Sequence, residues 1–330
     1  MKLKRNIFVL LIILVQLSST KGQDVAFSQF YASPLYLNPA LAGSKLCPRL
    51  TLNYRNQWPN MANGYVTYSA TWDNQYNKIS GGLGVTANAT VGGGGMYNTF
   101  NGTAIYSYRL QASRTIVVNA AFQAGYMQRH INWDKFVFGD QLNPYTGVHG
   151  ETSETKPGKP GIGAVDLSAG ILAGYKESVY LGVVVNHLTR PNLSLFEGRS
   201  EPMAMKLTVH AGAIIDFFQG MDGEDLRNFS ISPNVVYMQQ GTFHQLNVGM
   251  SVNMYPLVTG LWFRHNFENP DAVIVLFGFQ QKQYKIGYSF DNTVSKLKTL
   301  TSGAHEISIA WLFNNPQKKH RYAAFRGPSF

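Results

Sequence analysis

Thr115-Ile116-Val117-Val118-Asn119-Ala120-Ala121-Phe122-Gln123-Ala124-Gly125-Tyr126-Met127 has a period of two residues. Ile116, Val118, Ala120, Phe122, Ala124 and Tyr126 form one face, and Thr115, Asn119, Gln123 and Gly125 fall on the other. Side chains of a strand point alternately to its two faces, so this stretch reads as a strand with one apolar surface. The split recurs on both sides. Leu83, Val85, Ala87 and Ala89 oppose Ser80, Gly82, Gly84, Thr86 and Asn88; Leu246, Val248, Met250, Val252 and Met254 oppose Gln245, Asn247, Gly249, Ser251 and Asn253. About fourteen such segments begin near Leu50, Gly64, Ile79, Asn98, Thr115, Ala164, Val179, Met205, Phe229, Phe243, Leu257, Ala272, Tyr284 and His305. Repeated ten-residue segments of alternating polarity, even in number, are the pattern of a transmembrane antiparallel up-and-down β-barrel. The expected fold is therefore all-β.

The connections add a second argument. The longest, near residues 130–163, 188–204 and 291–304, are junctions five, seven and thirteen, whereas most even junctions are tight. In outer-membrane barrels short periplasmic turns alternate with longer surface loops, so both termini are expected in the periplasm. Junction eight, residues 219–227, is long and breaks the rule. A soluble β-sandwich would alternate too, but with shorter strands and more Lys and Glu on its wet faces. Aromatic residues near segment ends, including Trp58, Trp72, Tyr106, Tyr126, Trp262, Tyr288 and Trp311, read as interfacial girdles.

Residues 1–22 read as a cleavable signal peptide: Lys2, Lys4 and Arg5 precede an apolar run too short to span a bilayer, and Gly22 suits a cut before Gln23. The rest divides into an N-terminal periplasmic segment at 23–49, the barrel at 50–313 and a basic periplasmic tail at 314–330. Net charge is +10, and loss of the signal's four basic residues lowers it by four to +6. Lys318, Lys319, Arg321 and Arg326 concentrate part of the excess in the tail, where a solvated terminus is the simplest reading. An exported chain is not expected to bind nucleic acid. The single cysteine, Cys47, excludes a disulfide framework within the chain.

No sequence signature of catalysis or of a metal or cofactor site stands out. Gly92-Gly93-Gly94-Gly95 lacks the Lys-Ser/Thr ending of a phosphate loop and reads as a hairpin connection. The eight His are scattered. Some outer-membrane barrels hydrolyse lipid with a wall-mounted Ser and His, which makes His187 and His210 the candidates if this chain were an enzyme; neither has an evident serine partner in sequence.

Phe27-Ser28-Gln29-Phe30-Tyr31-Ala32-Ser33-Pro34-Leu35-Tyr36-Leu37-Asn38-Pro39-Ala40-Leu41-Ala42-Gly43 precedes Leu52-Asn53-Tyr54-Arg55-Asn56-Gln57-Trp58-Pro59. Together they closely resemble the opening of the PorP/SprF family of type IX secretion and gliding proteins. The resemblance continues in order through Gly182-Val183-Val184-Val185-Asn186-His187, Gly260-Leu261-Trp262-Phe263-Arg264, Gly287-Tyr288-Ser289-Phe290-Asp291 and Gly303-Ala304-His305-Glu306-Ile307-Ser308. It implies a non-enzymatic outer-membrane barrel without cofactor. Such a barrel supports export or surface anchoring of a specific adhesin-like client bearing a C-terminal sorting domain, and contacts the periplasmic ring of the secretion machine. The ending Gly327-Pro328-Ser329-Phe330 resembles a family Cys-Pro-x-Phe ending with Gly327 in place of the cysteine.

The candidate contact residues are Phe27, Ser28, Gln29, Tyr31, Tyr36, Asn38, Pro39, Gly43, Arg55, Trp58, His187, Arg264, His305 and Glu306. Two roles are open for them on sequence: surface offered to a partner, or a packed plug at the periplasmic mouth. A passive diffusion porin is the alternative function, and a barrel lipid hydrolase the third.

Overall fold

A computed structural model describes residues 24–45, 47–61, 64–143, 145, 147–148, 150–156, 158–176, 178–196, 198–218, 229–267, 269–295 and 301–313. The expected signal, the basic tail and junction eight lie outside these residues. Among the described residues fourteen strands form the barrel wall: β1 (Arg49–Gln57), β2 (Tyr65–Tyr76), β3 (Gly81–Gly92), β4 (Tyr97–Gln111), β5 (Ile116–Ile131), β6 (Gly161–Tyr175) and β7 (Val179–Asn186). Then follow β8 (Lys206–Ala213, continued by Ile215–Phe218), β9 (Phe229–Gln240), β10 (Phe243–Met254), β11 (Leu257–Asn266), β12 (Asn269–Gln280), β13 (Tyr284–Thr293) and β14 (Ala304–Leu312). Each starts within three residues of the position read from the alternation. Neighbours pair antiparallel, and β1 pairs with β14 from Arg49↔Leu312 to Gln57↔Ala304, so the sheet closes into a barrel.

Burial follows the alternation. In β5, Asn119 is buried while Ile116, Ala120, Phe122 and Tyr126 are exposed; in β10, Gln245, Asn247 and Ser251 are buried and Val248, Met250 and Met254 exposed. The apolar face thus points outward and the polar face into the lumen, as lipid outside requires.

Trp262 corrects one expectation. It faces the lumen at 6% exposure and packs with Ala32, Val258, Ile274 and Leu276 rather than joining a girdle. Its ring lies across Gly249 and Gly260, where an added Cβ would approach within 2.3 Å and 2.2 Å of ring atoms.

The second correction concerns residues 23–49. Their described part does not hang below the barrel; it runs through the lumen. Eight-stranded barrels fill themselves with side chains, but fourteen strands enclose more space than their own side chains fill. A one-turn helix, α1 (Pro34–Leu37), and a 3-10 turn (Pro39–Leu41) occupy that space, with Asn38 and Ala40 both at 0% exposure. Asn38 caps the second turn by accepting from the Ala40 N–H, so the Pro39 that follows it sits where a missing N–H costs least. The segment reaches from partners at the long-loop ends of β7, β8 and β9 down to Arg49 and Asp73 at the short-turn end. There Gly43 has φ +70°, and its nitrogen and the Ala42 carbonyl press on Gly82, where a Cβ would lie 2.2 Å from that oxygen.

This register predicts that Phe122, half exposed to lipid, tolerates charge poorly. Phe122→Arg is expected to cost about 2–4 kcal/mol if the position lies near the bilayer midplane. Reversible unfolding in lipid vesicles checks it; a loss below about 1 kcal/mol places Phe122 at an interface instead.

Candidate functional site

The candidate site is the contact between the plug and the barrel wall, which is built in three tiers. At the short-turn end, Arg49 and Asp73 form a bidentate pair at 2.8 and 3.0 Å. Asp73 also accepts from the Gly43 N–H at 2.8 Å, pinning the chain where the plug turns into β1. Just above, the Ala40 carbonyl accepts from Asn119 at 2.9 Å and Ser107 at 3.3 Å. Asn38 donates to the Ile171 carbonyl and lies 3.0 Å from His210 Nε2, and Tyr31 meets Tyr180 edge-on.

The middle tier is ionic. Ser28 Oγ accepts from Arg55 at 2.6 Å and Arg264 at 3.2 Å while donating to Asp291 at 2.5 Å. Arg55 bridges Asp291 at 2.9 Å and Glu306 at 3.1 Å; Arg264 bridges Asp291 at 2.6 Å and Asp271 at 2.7 Å. The Glu306 carboxylate, fully buried, also accepts the backbone N–H groups of Ser28 and Gln29 at 2.8 and 3.2 Å, and Gln29 in turn donates to the Glu306 carbonyl. Two guanidinium groups therefore meet three carboxylates around one plug hydroxyl. Buried ions are tolerable only when paired and hydrogen-bonded, and here the plug supplies part of that pairing, so the cluster favours one seating of the plug.

The uppermost tier is held by Asp24. Its carboxylate meets His187 Nε2 at 2.8 Å and Lys206 Nζ at 2.9 Å, and its N–H donates to Gln240. Asp166 binds the other His187 nitrogen at 2.9 Å. Burial by itself would push the Asp24 carboxyl up, but Lys206 and His187 hold it well below the usual carboxylate range. Burial likewise opposes charge on His187, in the loop after β7, yet Asp24 and Asp166 raise it to about 9. Tyr36 donates to the Val25 carbonyl, and Lys206 lies over its ring.

Of the fourteen residues singled out in sequence, Phe27, Ser28, Gln29, Tyr31, Tyr36, Asn38, Pro39 and Gly43 lie in the plug, and Arg55, His187, Arg264 and Glu306 are wall residues that grip it. His305 is not with them. It faces outward, its Nδ1 2.8 Å from the Tyr288 hydroxyl. Trp58 sits at the long-loop rim with φ 61°. Sequence reasoning missed Asp24, Asp73, Asp166, Lys206 and Asp291 as site residues. The available signal was charge at lumen-parity positions of apolar strands, which Asp73, Asp166 and Asp291 all show. Neither His187 nor His210 has a serine hydroxyl as partner among the described residues, and no group of His, Cys, Asp or Glu there could hold a metal ion. Above the plug a cavity of about 960 Å³ is lined by Arg55, Asn88, Asn101, Arg129, Asp166 and Gln245 among others.

The family model of the type IX secretion system membrane protein PorP/SprF matches residues 19–311. The chain belongs to the PorP/SprF family. No curated protein sequence matches it. Among solved structures, the toluene transporter TbuX of Ralstonia pickettii is similar over 86% of this chain and 94% of its own, with 12% identity and a TM-score of 0.50. The CymD monoaromatic hydrocarbon channel matches over 89% and 96%, with 12% identity and a TM-score of 0.48. The TbuX likeness is one of fold, and with the family it makes this PorP/SprF protein an integral outer-membrane component of type IX secretion. Family and structural neighbours are secretion and transport barrels rather than enzymes.

Arg55→Ala removes one member of the buried cluster and leaves Glu306 and Asp291 under-paired, a loss of about 3–5 kcal/mol of plug seating. Single-channel recordings should then show openings that the wild type lacks; equal conductance would mean the plug stays seated without the cluster. The upper tier is pH-dependent. Asp24, held low, contributes above its ordinary value near 4 and loses that only on further acidification; His187, held high, contributes fully below about 6.5 and loses it as pH rises through about 9. Plug fluctuations in the same recordings should therefore rise from pH 7 to pH 10, and His187→Gln should abolish that step.

Proposed function

We propose that this PorP/SprF protein is a closed outer-membrane dock that supports export or surface anchoring of one client protein, rather than a pore. The observation that carries the reading is that residues resembling the family signature hold the plug in the lumen, so the barrel is blocked below an open cavity. A passive porin needs a continuous water path, which a seated plug denies. The parity of connections supports long loops at the cell surface, where a client arrives, and short turns toward the periplasm, where ring components of the secretion machine would touch the barrel base. Family membership supports the client's class: a secreted, adhesin-like protein with a C-terminal sorting domain. Outer-membrane lipid covers the apolar belt.

Deleting the gene should abolish surface display of one sorted protein while other type IX cargo still reaches the medium. Quantitative surface proteomics of the deletion strain decides: unchanged levels of every sorted surface protein would end the client-specific reading, and loss of all cargo would make this a core part of the translocation machine.

A further inference from the structure

The barrel wall is uneven. β6 pairs with β5 along its whole length, from Gly161↔His130 to Tyr175↔Ile116, but with β7 only from Ala169 to Tyr175. Strands β4, β5 and β6 have 15, 16 and 15 residues, whereas β7 and the first part of β8 have 8 each. Residues 161–167 therefore rise beyond the end of β7, an overhang of roughly 23 Å at strand rise. Along this seam, among the described residues, the Leu167 carbonyl accepts from the Leu188 N–H at 2.9 Å and the Val165 carbonyl from the Thr189 hydroxyl at 3.1 Å. By the same parity, the main-chain groups of Gly161 and Gly163 also face the seam, where no strand partners them.

Folded proteins guard such edges with charge, proline or a covering strand. Gly161-Ile162-Gly163-Ala164-Val165 carries no charge. Its lower end is closed instead by the start of the loop after β7, where Leu188 and Thr189 bond Leu167 and Val165; that loop leaves the wall through positive φ at His187 (60°) and Arg190 (47°) and buries Pro191, Leu193 and Leu195. Arg129 holds this cover by donating to the Leu193 carbonyl at 3.1 Å, while its own buried Nε has no partner among the described residues. The edge borders the open cavity, since Asp166, Arg129, His187 and Leu193 all line it.

We propose that the seam edge of β6, Gly161 to Leu167, is a strand-addition site for an extended segment of the exported client, with the loop at 187–205 as its removable cover. The inference rests on the dock reading given above. Only an extended polypeptide offers donors and acceptors at the spacing this edge presents, and the plug leaves the long-loop end as the way in.

Val165→Pro removes one seam-facing N–H and leaves the β5 ladder intact, because Val165 turns its main-chain groups away from β5; Ala164→Pro breaks that ladder and serves as the assembly control. Expressed in the deletion strain, Val165→Pro should assemble as a heat-modifiable barrel like the wild type, yet lower surface display of the client roughly tenfold or more, the worth of about 1.4 kcal/mol. In parallel, replacing Ala164, whose side chain has lumen parity, by photoreactive p-benzoylphenylalanine should yield an adduct with the client that Val165→Pro abolishes. Wild-type display by Val165→Pro, or no client adduct from position 164, overturns the strand-addition site while leaving the dock reading in place. Normal display in the deletion strain itself would overturn both.

Discussion

A lumen lined by Ser, Thr, Asn and Arg cannot be emptied of water and left dry, nor filled with greasy side chains, without stranding polar groups. The cluster of Arg55, Arg264, Asp291, Glu306 and Ser28 is the solution this barrel uses. Four of its charged groups come from four different strands, and the plug contributes a hydroxyl and two backbone N–H groups at the point where they converge. Each partner would lose contacts without the other: without the plug, Glu306 loses two of its donors, and without the wall, Ser28 and Gln29 lose the carboxylate that holds them at this height. Wall and plug thus specify one another.

The same reciprocity links the plug to the rim. Asp24, at the upper end of the plug, shares His187 with Asp166 on β6 and pairs with Lys206 at the start of β8, so both ends of the loop between them are tied to the plug. That loop covers the seam at which the tall side of the wall meets the short side. Displacing that loop from the seam would therefore also strain the contacts that hold Asp24, a physical route by which an event at the surface would be felt in the lumen. The apolar support beneath, from Tyr31, Leu37, Ala40, Leu172 and Tyr180, carries no such charge and keeps the lower plug in place independently.

Period-two alternation and its punctuation determined about fourteen strands and their lipid face, because both follow from local polarity in a chain whose outer surface must be apolar. Phe122 outward and Asn119 inward could be read without any partner in view. The destination of the segment after the signal could not, since Asn38-Pro39 is turn chemistry whether the turn lies in the periplasm or in a lumen. Trp262 was misplaced for a related reason: an aromatic in a lipid-spanning strand suits an interface, and only Gly249 and Gly260 on two adjacent strands, close to it in space, reveal the room that lets it turn inward. The salt bridges joining Arg55 to Asp291 and Glu306 span 236 and 251 positions in sequence. No local pattern encodes which carboxylate meets which guanidinium. Closure of the sheet decides that, by bringing β1 beside β14 and setting the lumen faces of distant strands against one plug.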